Sequence, residues 1–236
     1  MKTKAKLIFA DHRLPDEAKN KLAKLGNLIL FNAGNKTHPS IKGHPDIFLC
    51  QCGKKWIIAP NTPKEYVHAL EKANISFEIG KEQVDVKHPG AARYNVVCYK
   101  NKLYHNLKFT DKSILEKFDK KDCHHIPQAY SRCSTIALDN QTFITSDKGV
   151  EKALKESGKE VLYVDPYPIC LPGLPWGFFG GCCGIDKDTI YFSGSLRYFK
   201  EEKEIRAICK KKNYNIIELF NGSPFDGGSI FFMEEN

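Results

Sequence analysis

Short apolar runs along this chain alternate with polar turns and with stretches whose apolar residues recur at helical spacing, and the order repeats. The unit is a short apolar strand, a polar turn, a second apolar strand, a helical stretch, then another apolar run, and it can be read five times. The second strands align best, as Leu7-Ile8-Phe9-Ala10, Trp56-Ile57-Ile58-Ala59, Leu103-Tyr104-His105-Asn106, Phe143-Ile144-Thr145-Ser146 and Ile190-Tyr191-Phe192-Ser193. Their starts lie 49, 47, 40 and 47 residues apart, a period typical of repeat arrays and propellers. In the first unit Leu14-Pro15-Asp16-Glu17 opens a helix with acidic residues in its first turn. Ala18, Leu22 and Leu25 continue it, Gly26 stops it, and Leu28–Phe31 is the third strand. Thr62-Pro63-Lys64-Glu65 with Val67 and Leu70 marks the next helix, and Asp111 with Ile114, Leu115 and Phe118 the one after it. Asp147 with Val150, Ala153 and Leu154 marks another, and Ile205, Ile208 and Cys209 the last. Cys123-His124-His125-Ile126 is the weakest third strand, being poor in apolar residues. Strands alternating with amphipathic helices give an α/β class.

The phase of the repeat adds a topological expectation. Ser229–Met233 reads as a first strand with no second strand after it, and Leu7–Ala10 as a second strand with no first strand before it. Pairing the two completes one unit, leaves no orphan sheet edge and holds both ends down. The sequence therefore predicts a five-bladed pseudosymmetric α/β ring closed by its N- and C-terminal strands. Even spacing without a Ser-, Gly- or Pro-rich linker predicts a single domain over residues 1–236.

Composition changes this picture little. At 42% hydrophobic and 11% aromatic residues, with no apolar run of bilayer length, the chain reads as a compact non-membrane protein. The basic start Met1-Lys2-Thr3-Lys4-Ala5-Lys6 is followed by too short an apolar stretch for a secretory signal. Nine cysteines without a paired framework then read as reduced thiols in a cytoplasmic protein. A net charge of +8 invites a nucleic-acid reading, but only five of the 36 basic residues are arginine. Specific recognition of bases and phosphates favours arginine, so a specific nucleic-acid partner is not expected. Oligomeric state leaves no signature.

Small-residue segments lead into the later first strands, Gly180-Gly181-Cys182-Cys183-Gly184 and Asp226-Gly227-Gly228-Ser229. With the repeat, its circular phase, and His44-Pro45-Asp46, Tyr94-Asn95, Tyr130-Ser131-Arg132-Cys133-Ser134 and Gly-Phe-Phe-Gly-Gly-Cys, the chain resembles the penteins, the guanidino-group-modifying-enzyme fold, and within it a bacterial branch. The resemblance covers essentially the whole chain and implies a five-bladed α/β propeller. It also implies a mechanism in which a cysteine of the last blade attacks a guanidinium carbon. Here Asp226-Gly227-Gly228-Ser229-Ile230-Phe231-Phe232 matches the glycine-rich approach, but phenylalanine stands where that cysteine would fall. The usual histidine would lie near Gly177, in Trp176-Gly177-Phe178, and is not there. Both departures argue against the usual mechanism.

Pseudosymmetry would still gather the lead-in segments at one channel mouth. They supply His44 and Asp46, Arg93 and Asn95, Arg132 and Cys133, Cys182 and Cys183, and Asp226. Cys133 beside Arg132 would be partly ionised, His44 would shuttle a proton and Asp46 or Asp226 would hold a cationic amidine or amine. Arg93 or Arg132 would hold a carboxylate. Asn95, Cys182 and Cys183 complete the ligand-binding set. Against this stand plainer readings: cysteines packed where nothing larger fits, a turn capped by Asp46, and glycines that only ease the backbone. No metal is expected, because Cys50 and Cys52, or Cys123-His124-His125, lack finger or ribbon spacing. No cofactor is expected either, since neither a phosphate loop nor a Gly-x-Ser-x-Gly elbow is present. The proline-rich loop from Asp165 to Gly181 reads as a lid or a packing plug, with Trp176, Phe178 and Phe179 as wall residues. Two function classes follow. One is a Cys-dependent hydrolase or transferase on C–N bonds, or a binder, of a small guanidino, amidino, amide or amino-acid-like compound. The other is a non-catalytic scaffold for a protein or ribonucleoprotein partner.

Overall fold

A computed structural model describes residues 6–53 and 55–234; the basic start of the chain falls outside them, apart from Lys6. Among the described residues, fifteen strands form five three-stranded sheets of one topology. In chain order the first two strands are β1 (Lys6–Asp11) and β2 (Asn27–Phe31). The next three sheets are β3 (Leu49–Cys52), β4 (Lys55–Ile58) and β5 (Phe77–Ile79); β6 (Val97–Tyr99), β7 (Lys102–His105) and β8 (Cys123–His125); and β9 (Thr135–Ala137), β10 (Thr142–Thr145) and β11 (Glu160–Tyr163). The fourth is β12 (Cys183–Asp186), β13 (Thr189–Phe192) and β14 (Asn215–Glu218), and β15 (Phe231–Glu234) ends the series. In every sheet the middle strand pairs antiparallel with the strand before it in the unit and parallel with the one after the helix. The last sheet draws on both ends of the chain, with β15 antiparallel to β1 in the register Leu7↔Met233, Ile8↔Phe232 and Phe9↔Phe231.

Helices α1 (Asp16–Ala23), α2 (Lys64–Lys72), α3 (Lys112–Leu115), α4 (Ser131–Ser134), α5 (Lys148–Glu156) and α6 (Glu202–Lys211) follow in chain order. All but α4 are the crossovers that parallel neighbours need. In α5 the Asp147 carboxylate accepts the Val150 N–H at 2.9 Å, and Val150 and Leu154, one turn apart, are the buried face. Tyr66 of α2 packs on Phe31 and Phe9 with centroids 4.4 and 6.0 Å apart, which ties that helix to the neighbouring sheet. Trp56 of β4 meets Phe231 of β15 edge-on at 5.0 Å. First strands lie side by side: β3 with β6, β6 with β9, and β12 with β15, the last pair joined by a Gly184–Ile230 bridge. The turn Gly180–Cys182 rests on α4 and β9, and the Asp46 N–H donates to the Gly228 carbonyl at 3.3 Å. No helix among the described residues is long and apolar enough to cross a membrane.

Candidate functional site

The lead-in segments are tight turns, and each aims a side chain because its backbone has little freedom. Pro45 opens the turn Pro45–Ile47, which carries Asp46 and has His44 at its cap. Asn95 follows the turn Gly90–Ala92, donating its N–H to the Ala92 carbonyl at 3.1 Å. The single turn of α4 carries Arg132 and Cys133. It is stitched to the preceding unit by Arg132 N–H to the Asn95 carbonyl at 3.1 Å and Cys133 N–H to Asn95 Oδ1 at 3.0 Å. Asp226 accepts from the Phe178 N–H at 2.8 Å and the Gly228 N–H at 3.0 Å. Gly228 has φ +66°, and a Cβ there would strike the His44 ring; one on Gly181 would strike the Asp226 carboxylate. Ser229 holds φ +68° without being glycine, a strained backbone of the kind that concentrates at functional sites.

These turns bring one cysteine, one histidine and two aspartates into contact. Cys133 Sγ lies 3.2 Å from Asp46 Oδ2, 3.1 Å from Asn95 Nδ2 and 3.9 Å from His44 Nδ1. Ser229 Oγ donates to Asp46 Oδ2 at 2.8 Å. His44 Nε2 stands 3.8 Å from Asp226 Oδ1 and, although buried, has no hydrogen-bond partner, a costly state for a polar atom. Burial dominates the electrostatics. It lowers the His44 pKa against the pull of Asp226 and raises the Asp46 carboxyl to about 6, with Ser229, Cys133 and Arg132 pulling the other way. Asp226 is also raised by burial, opposed chiefly by His44 and the two backbone N–H groups. Cys133 is pushed well above the ordinary thiol range by burial and then by the two aspartates.

The expectation that Arg132 would ionise Cys133 is therefore corrected. The Arg132 guanidinium turns away to the carbonyls of Gly180 and Cys183, at 3.2 and 3.3 Å, and the carboxylates dominate at the thiol. Arg93 is not brought to the cluster, since its guanidinium pairs with Glu82. Cys182 and Cys183 sit in the apolar core and donate to the carbonyls of Phe178 and Phe179, at 3.5 and 3.3 Å.

A cavity of about 450 Å³ opens over the cluster. His44, Cys133 and Asp226 reach it, and Asp46 stands behind Cys133; Ile41, Tyr130, Leu171 and Phe178 supply apolar wall. The loop expected to be a lid or a plug contributes to the cavity wall and to the core. Leu171, Leu174 and Phe178 line the cavity, while Phe179 is packed between Phe192 and Phe199 at 5.6 and 5.7 Å. Trp176 is instead half exposed. Sequence reasoning missed Ser229, although it belongs to the Asp226–Ser229 segment, and missed Tyr130 and His88 at the cavity wall. A second cavity of about 250 Å³ is lined by residues of β6, β9, β12 and β15 together with Gln51 of β3, Gly53 and Arg132.

No curated protein matches the sequence. Among solved structures, the chain is similar to SxtG, an amidinotransferase from Microseira wollei in the saxitoxin biosynthetic pathway. That likeness has a TM-score of 0.54 at 10% identity over 99% of this chain and 94% of that one. It is similar also to a Cys-to-Ser mutant of DDAH from Pseudomonas aeruginosa complexed with citrulline, with a TM-score of 0.52 at 9% identity over 92% of each chain. Identities this low speak for the fold alone, and these neighbours are pentein-fold proteins built from five repeated sheet units, as the five sheets here are. Residues 9–231 match the Family of unknown function (DUF6873), and the chain belongs to that family.

Proposed function

We propose that the five sheets are the blades of one propeller domain and that the 450 Å³ cavity at its mouth takes a small guanidino, amidino or amide compound, with Cys133 as nucleophile. The observation that carries this reading is the meeting of Cys133, His44, Asp46 and Asp226, from three lead-in segments, beneath an apolar-walled cavity. A cation is the ligand charge that fits. Burial and then the two aspartates hold the thiol protonated, so an amidinium bound at Asp226, which reaches the cavity, removes part of that opposition and leaves Asp46, behind Cys133, to act as base.

The thiol proton passes to Asp46, whose raised pKa suits a base near neutral pH, and Sγ bonds to the amidine carbon. The carbon–nitrogen bond breaks, and the leaving nitrogen takes the proton that Asp46 received from the thiol. Water then cleaves the carbon–sulfur bond, giving one proton to the neutral His44, which hands it to the departing sulfur, and its oxygen to the product, so that the thiol is restored. A thermal-shift screen against guanidino compounds, amidines and amides tests the reading, with Cys133→Ser and Asp46→Asn alongside. A stabilising compound whose effect both variants lose, and an intact-mass adduct with a haloalkyl amidine that Cys133→Ser abolishes, are the expected results. Absence of both would sink the enzyme reading. It would favour instead a non-catalytic scaffold, for which the exposed Tyr167, Leu174 and Trp176 of one loop are the supporting observation.

A further inference from the structure

Away from the mouth, three thiols that sequence spacing does not connect come together. Cys50 and Cys52 alternate on β3 and so share one face of it, and Cys98 comes from β6 of the adjacent sheet. Cys50 Sγ lies 3.7 Å from Cys52 Sγ, which lies 3.8 Å from Cys98 Sγ, and all three sulfurs fall within 4.8 Å of one another. Sequence reasoning placed Cys50 and Cys52 on one face of a strand but did not reach Cys98, which the packing of β3 beside β6 brings to them.

We propose that Cys50, Cys52 and Cys98 form a three-coordinate thiolate site for a soft closed-shell metal ion, Cu(I) in preference to Zn(II). An ion bonded to three sulfurs at ~2.3 Å in a trigonal plane holds them ~4 Å apart, so the triangle needs only tenths of an ångström of adjustment. The donor set is all sulfur, which selects soft ions. Among the described residues no fourth His, Cys or carboxylate joins the group, and Zn(II) wants four ligands where Cu(I) accepts three. Disulfides suit the cluster less, since three thiols leave one unpaired and the sulfurs stand far beyond the ~2.05 Å of a bond. Binding moves no electron: each ligating thiol releases its proton to solvent as its metal–sulfur bond forms. Cys98 also lines the 250 Å³ cavity, which gives the ion a way in.

The test is a titration of the reduced full-length protein with Cu(I) against a coloured Cu(I) chelator, and in a separate arm with Zn(II) against a zinc indicator. The expected result is one Cu(I) per chain with a thiolate-to-copper ultraviolet band, weakened by at least about tenfold in Cys98→Ser and unchanged in Cys170→Ser, whose cysteine is exposed and outside the cluster. Circular dichroism confirms that the variant folds, and Cys52→Ser replaces it if it does not. Equal Cu(I) affinity in wild type and both cluster variants overturns the proposal. So does loss of binding in Cys133→Ser, which would put the ion on the other triad, His44, Asp46 and Cys133. Binding of Zn(II) without Cu(I) overturns it as well.

Discussion

Cys133 shows how one side chain can be well placed and yet at rest. Its sulfur touches an amide donor and a carboxylate, but burial and the two aspartates keep the proton on. Thiolate content and access govern alkylation, so native Cys133 should react more slowly than in a denatured control, and exposed Cys170 first. Peptide mass mapping after a short iodoacetamide pulse reads the order; rapid labelling of Cys133 without ligand would contradict its protonated state. Asp46 gives the second prediction. Its folded pKa of about 6 lies above the ordinary 3.8, so the folded chain binds this proton more tightly than the unfolded one. Stability from that proton is full below the unfolded pKa and is lost as pH rises through about 6, on the order of 3 kcal/mol in all. His44, with its lowered pKa, acts in the opposite sense: its contribution is present above 6.5 and lost as pH falls. The difference in unfolding free energy between wild type and Asp46→Asn isolates the carboxyl. It should shift against the wild type between pH 4 and 7, and a flat difference across that range would remove the shift.

At the scale of elements, site geometry depends on turns with no room to spare. Gly53 and Gly228 both hold left-handed backbone, at φ +64° and +66°, but a Cβ on Gly53 meets nothing within 4 Å whereas one on Gly228 meets the His44 ring. Gly53→Ala should therefore cost only the backbone strain, about 1 kcal/mol, and Gly228→Ala at least about 2 kcal/mol more. Denaturant unfolding of the two variants measures the gap; equal losses would mean that the His44 contact is soft. Much at this scale was legible in the sequence. The second strands each begin one residue before the apolar run, at Lys6, Lys55, Lys102, Thr142 and Thr189, because pairing runs on into the polar turn. Beyond Leu115 the apolar spacing to Phe118 misleads: α3 ends there and the chain tightens into turns, such as Phe118 N–H to the Leu115 carbonyl. His44, Asp46, Asn95 and Cys133 were legible because equivalent positions of a repeat converge. Of the cavity wall, Phe178 and its loop were anticipated, but Leu171, Leu174 and His88 were not singled out, since they belong to connecting loops, which carry no period. Nor was the turning of Arg93 to Glu82, or the meeting of Cys98 with Cys50 and Cys52, which depends on packing between elements.

For the whole molecule, the pairing of β15 with β1 makes the position of the chain break incidental. Lys6 lies opposite Glu234, as Lys102 lies opposite Tyr99 and Thr189 opposite Asp186. In the latter two sheets a two-residue turn joins the partners, with Lys100 and Lys187 at φ +53° and +55°, the left-handed backbone that such turns require. A chain in which Asn-Gly links residue 234 to residue 6, and which is opened between Lys187 and Asp188, trades one two-residue connection for another. The loop-closure entropies nearly cancel, and no sheet loses a strand. The permuted protein should fold, melt within about 5 °C of the original (a change of roughly 1–2 kcal/mol at this size) and keep any ligand response that Cys133→Ser abolishes. Deleting residues 231–234 instead bares the edge of β1 and strips Phe231 from Trp56, and should give an unstable, aggregating chain. Circular dichroism melts and size-exclusion profiles of the two chains decide the matter. If the permutant fails as the deletion does, the first and last strands are not equivalent to the hairpins of the other sheets, and the propeller proposed from that equivalence falls with them.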